Sequence, residues 1–356
     1  MNTTSINLIE KLTQAAGLSG YERNITAIVQ KELQSCGTVE TDAIGNVLCT
    51  LPGKRSDAPV ILFAAHQDEI GFIVSDILES GFLRIFNIGG WNTITLPSSP
   101  VEVINSHNEP IRGVIGQISP HFLKKGSPQQ IPDLDELFVD IGASSAREVR
   151  DTFNIDIGSL VIPVSQFTHI TQTNRLISKA FDDRIGIAAL IELGKRLSIT
   201  DHDATVVLAA TVQEEVGERG AYVLANRVEA DMAIVIEGAP ADDVPGGPNH
   251  PQTCVGNGAH VRIFDPTHIG HPALLSHIKE IAHSSSIPIQ LAVRKGGGTD
   301  AVALALAAKG IPTVVTGVPV RYAHSHNCLI SVDDYVSLID LLTAVCLKTN
   351  TGINCT

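Results

Sequence analysis

Long apolar runs, paired cysteines, abundant aromatic residues and an excess of positive charge are all missing from this chain. No stretch approaches the roughly 18 consecutive apolar residues that a transmembrane helix needs, so a membrane span is not expected. The six cysteines (Cys36, Cys49, Cys254, Cys328, Cys346 and Cys355) are scattered, and none forms a C-x-x-C pair. In a chain of this length that pattern argues against a disulfide framework and for a reducing compartment. Lysine and arginine number 25 against 38 aspartates and glutamates, a net charge of −13, which disfavours nucleic acid and anionic membranes as partners. With one tryptophan and four tyrosines, stacking platforms for sugar rings are sparse. The first residues, Met1-Asn2-Thr3-Thr4-Ser5, carry neither a basic n-region nor an apolar h-region. No signal peptide is visible there, and a cytoplasmic location is expected.

What the chain does have is material for a large core: 356 residues, 44% hydrophobic. That length suits two compact units or one large α/β unit. Helical periodicity is expected over residues 6–16 and 21–36, stopped by Gly17 and Gly37. Strands are expected over 46–51 and 60–65. From about 72 to 164 the texture changes to short strand-like runs between Gly, Pro, Asn and Ser clusters, the pattern of an inserted all-β domain of barrel or sandwich type. Within it, 121–130 reads as a mobile loop. The α/β pattern returns with a helix over 185–197, strands over 204–210 and 230–236, a helix over 271–284, an Ala-rich helix over 301–309 and a last helix from Asp333 to about Leu347. The catalytic body is therefore discontinuous, 1–71 and 165–356, with 72–164 inserted.

Polar residues collect at strand ends. Val60 to Ala65 runs into His66-Gln67-Asp68, and alternation puts positions 66 and 68 on one side of an extended chain. There, His66 suits a metal ligand and Asp68 the carboxylate that orients its ring. Ala204 to Ala210 delivers Glu214 and Glu215, which point apart, so one can bind a metal while the other faces substrate or water. The bland alternative is a pair of solvated glutamates in a loop. Asp182 and Asp183 precede a helix and could serve as its cap, although two acids exceed what a cap needs. Glu237 ends another apolar strand, and His324 follows the strand over 312–316. Gly296-Gly297-Gly298 before a helix can cradle an anion, but the Walker G-K-[ST] ending is absent. Two histidines with several carboxylates and no cysteine suit Zn²⁺, Co²⁺ or Mn²⁺. A two-metal site, with ions about 3.5–4 Å apart, needs a bridging carboxylate and further ligands, and the inventory is large enough.

Five segments together, H-Q-D-E-I-G-F (66–72), K-A-F-D-D-R-I-G (179–186), V-Q-E-E-V-G-E-R-G-A (212–221), G-G-G-T-D-A (296–301) and R-Y-A-H-S (321–325), resemble the dinuclear metalloaminopeptidases of the tetrahedral, dodecameric type. These include the glutamyl and deblocking aminopeptidases. The resemblance spans the whole chain, insert included. It implies an α/β, mixed-sheet zinc-peptidase (phosphorylase/hydrolase-like) catalytic domain with an inserted β-barrel-like domain that pairs subunits, up to twelve enclosing a chamber. It implies two divalent ions per subunit, Zn or Co and in some cases Mn. His66 and Glu237 would hold one, Glu215 and His324 the other, with Asp182 bridging. Asp68 would orient His66, and Glu214 would be the general base. A cis peptide between Asp182 and Asp183 is implied too. The chain departs from many relatives in having Glu237 where they have Asp, and Ser325-His326 where they have Ser-Pro.

The activity implied is removal of N-terminal residues from short peptides. Arg294, Lys295 and Arg321 are candidates for a pocket that would favour acidic residues. Two rival readings are a glycoside hydrolase, which also needs two carboxylates, and a non-catalytic scaffold that keeps the fold.

Overall fold

The computed structural model describes residues 3–122, 131–349 and 352. A mixed sheet forms the body. Its order is Thr38–Thr41, Val47–Leu51, Thr205–Thr211, Val60–His66, Met232–Pro240, Thr313–Val320, Ala259–Asp265 and His268–Ile269, with Ile289–Val293 also pairing to Ala259–Asp265. Four central strands, Thr205–Thr211, Val60–His66, Met232–Pro240 and Thr313–Val320, are mutually parallel. They are almost wholly buried, as parallel strands covered on both faces must be.

Alternation along Val60–His66 divides the core. Ile61, Phe63 and Ala65 face one layer, packed by the helices Thr3–Gln14, Arg23–Leu33, Phe181–Leu197, Pro272–Ser284 and Val332–Lys348. Leu62 and Ala64 face the other, packed by the short helices Arg219–Ala225 and Ala301–Ala305. Parallel strands sandwiched this way bring their carboxyl ends to one edge of the sheet, where ligands of such folds bind.

Six strands, Gly71–Ile77, Leu83–Ile88, Phe138–Asp140, Pro110–Gly116, Pro100–Ile104 and Leu160–Pro163, close a barrel in that order. The barrel has its own core, with Phe72, Leu83, Val101, Ile115 and Val161 among its members. It is not purely β: Ser145 caps a one-turn helix, Ala146–Asp151, by accepting from the Glu148 amide. A second small sheet, Thr168–Ile170, Arg175–Ser178 and Cys328–Ser331, follows the barrel.

Three sequence expectations need correction. The Ala-rich helix expected over 301–309 ends at Ala305: Leu306 already leaves helical geometry at φ −96°, ψ 3°, and Ala308 then takes a left-handed φ of 45° that an α-helix cannot contain. The edge strand Thr38–Thr41 was not foreseen, since it is mostly exposed and lacks a buried face. The helix expected from Ile185 starts at Phe181, with non-helical backbone at Asp182 and Asp183. Of the loop expected over 121–130, residues 123–130 lie outside the described residues. No helix of the described residues is long and apolar enough to cross a membrane, and none of the five described cysteines is in a disulfide.

Candidate metal centre and active site

One strand end, one strand interior, two loops and one helix start build the site; Glu237, expected to end its strand, lies inside it because the strand runs on to Pro240. His66 is the last residue of the central strand, and Thr211 of the neighbouring strand lies beside it in register. The chain then turns at Gln213, with a left-handed φ of 57°, to present Glu214 and Glu215. Glu237 lies within Met232–Pro240, and Asp182 sits at the irregular start of the helix Phe181–Leu197, where the Asp182–Asp183 peptide is cis. His324 comes from the loop after Thr313–Val320 and itself has a left-handed φ of 59°.

Asp182 stands between the two imidazoles. Its Oδ1 is 3.2 Å from His66 Nε2, and its Oδ2 is 3.3 Å from His324 Nε2. Around His66 Nε2, one oxygen each of Glu214 and Glu237 lies at 3.8 Å. Around His324 Nε2, a Glu215 oxygen lies at 3.3 Å. Two groups with metal-ligand spacing result, His66–Asp182–Glu237 and Asp182–Glu215–His324. A third grouping, His66–Glu214–Glu215, has the same spacing, so geometry alone leaves more than one way of sharing out the glutamates.

Asp68 is fully buried and does two things at once. Its Oδ1 lies 3.3 Å from His66 Nδ1, out of good hydrogen-bond alignment, which leaves Nε2 to face the acids. Its oxygens also accept from the amides of Glu214 (3.0 Å) and Glu215 (3.1 Å) and from the Ser19 hydroxyl (2.7 Å). Burial would raise its carboxyl, but His66 outweighs this and holds it below the ordinary value. Asp183 is not in the cluster. It accepts from the His66 and Gly186 amides and ties the helix start to the central strand.

The electrostatics suit a cation. Burial pushes Glu214 well above the usual carboxylate range; His66 opposes this, and Glu237, Glu215 and Asp300 add to it. Burial also lifts Glu237, reinforced by Asp183, and lifts Glu215. Burial would lower both imidazoles, yet the acids outweigh it, carrying His66 well above its ordinary value and His324 up to about 11. Nitrogen and carboxylate donors so short of positive charge, with no sulfur among them, fit divalent ions of the Zn²⁺, Co²⁺ or Mn²⁺ kind, which would take the place of those protons.

A cavity of about 700 Å³ opens beside the cluster. Its far wall carries Arg262, Arg294 and Lys295, with Gly296, Gly297 and Gly298 below. Arg262 donates from Nη1 to Asp265 Oδ2 at 3.0 Å, while its Nε has no partner among the described residues. Arg294 pairs loosely with Asp242 at 3.6 Å, and its buried Nη2 is likewise unpartnered. Arg321, expected as a candidate here, is instead clamped by Asp243 at 2.6 and 2.9 Å and is not part of the cavity wall. Arg262 was not foreseen from the sequence. Its signal was there, an arginine inside the apolar strand Ala259–Asp265, three residues before an acid.

Comparison with known proteins places the arrangement in context. Residues 45–341 match the family described as M42 glutamyl aminopeptidase. The chain is 32% identical to the glutamyl aminopeptidase of Lactococcus lactis over 345 residues, covering 96% of each chain. It superimposes on the crystal structure of a TET aminopeptidase from a marine-sediment Thaumarchaeota archaeon with TM-score 0.93 and 35% identity, covering 98% of both. It also superimposes on the Pyrococcus horikoshii TET1 peptidase, described as assembling into a tetrahedron or a large octahedral shell, with TM-score 0.84 and 30% identity over 97% of this chain and 99% of that one.

Proposed function

The chain belongs to the M42 glutamyl aminopeptidase family, and from that premise we propose that this metal-dependent aminopeptidase trims N-terminal residues from short peptides, with two divalent ions per subunit and a preference for acidic side chains. The observation that carries the reading is Asp182, whose two oxygens reach His66 on one side and His324 on the other. His66, Asp182 and Glu237 would hold one ion, and Asp182, Glu215 and His324 the other, with zinc or cobalt the favoured metals and manganese compatible with the same donors. Bound there, the ions would acidify a water and polarise the scissile carbonyl.

The chain's own residues supply the rest. Glu214 lies beside the His66 group without being needed as its ligand, and its burial makes it a good proton acceptor. It takes the proton of the attacking water and returns it to the leaving amine. Asp68 keeps His66 in the ligating tautomer and holds the Glu214 and Glu215 backbone in place. The substrate's charged α-amine fits the acidic residues lining the cavity, and the positive charge of Arg262, Arg294 and Lys295 in the same lining fits an acidic side chain.

The barrel, residues 72–164, is assigned to subunit assembly, and 1–71 with 165–356 to catalysis. Phe86, Ile118 and Phe122 are exposed apolar side chains of the inserted segment that a second copy would cover, in keeping with a homo-oligomer of the TET kind. The reaction and the charge balance suit a cytoplasmic setting. A glycoside hydrolase is not favoured, because these carboxylates are gathered on two imidazoles that such chemistry does not need. A non-catalytic scaffold is not favoured either, because no ligand position has been lost.

The test is hydrolysis of a panel of aminoacyl-p-nitroanilides by metal-stripped protein with Zn²⁺, Co²⁺ or Mn²⁺ restored. Metal-dependent release from glutamyl and aspartyl substrates, and none from their N-acetylated forms, is the expected result. Release from N-acetylated substrates, or none with any metal despite bound ions, would sink the proposal.

A further inference from the structure

The barrel does more than form a separate core, because the loop leaving its strand Leu83–Ile88 reaches the metal cluster. His324 Nδ1 lies 2.8 Å from the Gly90 carbonyl oxygen. A carbonyl only accepts, so Nδ1 carries a hydrogen and Nε2 is the nitrogen turned toward Asp182 and Glu215, free to ligate an ion in place of its proton. The preceding Gly89 has a left-handed φ of 77°, and a side chain there would meet Ile70 at 2.4 Å and Glu215 Cβ at 3.3 Å. Asn87 closes this turn by donating to the Gly89 carbonyl at 2.6 Å. The same loop thus seats against both Glu215 and His324.

Two further tethers act on the segment that carries His324. Trp91 stacks on Phe72 of the barrel at 4.9 Å and lies 5.3 Å from the buried ring of His326. Ser165, just past the last barrel strand, donates to Asn327 Oδ1 at 3.1 Å. From its own side the segment is poorly constrained for its backbone, since Tyr322 and His324 both adopt left-handed φ near 60°. Non-glycine residues hold that region only where the surroundings enforce it.

We propose that the barrel loop Asn87–Trp91 is a positioning element for the Asp182–Glu215–His324 site, with the Gly90 carbonyl orienting His324 and Trp91 anchoring the loop against His326. The proposal rests on reading that cluster as a metal site. A carbonyl on the far nitrogen of a ligating histidine fixes its tautomer and ring plane, and losing such a partner weakens metal binding by about 10–100-fold. The effect is confined to one site, because His66 is oriented separately by Asp68 from within the catalytic body.

The experiment is calorimetric titration of metal-stripped protein with Zn²⁺ and with Co²⁺, comparing wild type with Trp91→Ala, Trp91→Phe and Gly89→Ala. Wild type is expected to bind two ions. Trp91→Ala and Gly89→Ala should weaken one of them by about 10–100-fold and leave the other within about twofold, and Trp91→Phe should restore most of the loss. A merely structural role would lower thermal stability without splitting the two affinities. Gly89→Ala asks the same question should Trp91→Ala fail to fold. If wild type binds two ions and both variants keep both affinities, the positioning role is overturned. If wild type binds no second ion, the metal reading fails first.

Discussion

Glu214 and Glu215 are neighbours in sequence, and their side chains serve different imidazoles. Glu215 turns to His324 at 3.3 Å, and Glu214 approaches His66 at 3.8 Å, while Asp68 holds both amides. The roles separate by measurement. Glu214→Gln keeps the shape and removes the proposed proton acceptor, so turnover should fall about 10²–10⁴-fold while the number of bound ions stays the same. Near wild-type turnover would move the base elsewhere. The cavity wall gives a second residue-scale test. Arg294→Met removes a positive charge from the cavity lining and keeps the aliphatic stem, so kcat/KM for glutamyl substrates should fall about 10–100-fold, the worth of a charge-assisted hydrogen bond, with alanyl substrates little changed. An equal loss on both substrates would mean that Arg294 shapes the wall without reading the substrate.

Among the elements, the decisive contact is between the strand Met232–Pro240 and the start of the helix Phe181–Leu197. Gly238 lies so close to that start that a Cβ would meet Asp182 Cα and the Phe181 carbonyl oxygen, each at 2.7 Å. Backbone cannot yield there without carrying Asp182 with it. On the proposed two-ion reading, Gly238→Ala should therefore lower metal affinity at both sites together, by about 10-fold or more, because Asp182 would serve both. Metal titration checks this, and a loss confined to one site would contradict the shared role of Asp182. A buried ion group underpins the same helix start: Glu69 bonds Lys179 and lies 3.6 Å from Arg184, which donates to carbonyls of Leu12, Ala15 and Gly17. Lys179→Met, which leaves Glu69 only the Gly17 amide at 3.2 Å and Arg184 at 3.6 Å, should cost about 3–5 kcal/mol in chemical denaturation, since an under-paired charge would remain buried. A cost below about 1 kcal/mol would show that the pair is dispensable.

Over the whole molecule, stability and assembly become the readouts. His260 is fully buried behind the cavity wall, and burial, with Arg262 and Arg294 adding, pushes it well below its ordinary value of 6.5. Its folded form is depressed relative to the unfolded one, so its contribution is present above about pH 6.5 and is lost as pH falls below it, at up to about 1.4 kcal/mol per pH unit. His260→Gln should flatten the fall in unfolding free energy between about pH 7.5 and about pH 5.5, the difference from wild type cancelling contributions shared with other groups. Identical slopes would show that His260 does not bind protons differently on unfolding. For the proposed assembly through the barrel, Phe86→Asp replaces an exposed aromatic side chain with a charge and should shift the protein toward smaller species in light scattering. An unchanged mass would place the interface elsewhere.

The sequence by itself determined the layered body, because buried β-branched runs and 3.6-residue periodicity are local signals that burial must obey. It also determined which side chains gather at the carboxyl edge of the sheet, since parallel strands present their carboxyl ends to one edge, although the strand it ended at Glu237 runs on to Pro240, and the matching motifs pointed to roles for His66, Asp68, Asp182, Glu214, Glu215, Glu237 and His324. It left the Ala-rich helix too long, because propensity carries no sign of the left-handed turn at Ala308. Only the tertiary structure decided how Asp182 divides its oxygens between two imidazoles, that Arg262 and not Arg321 joins the cavity wall, and that a barrel loop reaches His324. These depend on distances between segments up to 234 residues apart, and such distances are set by packing, which no local pattern encodes.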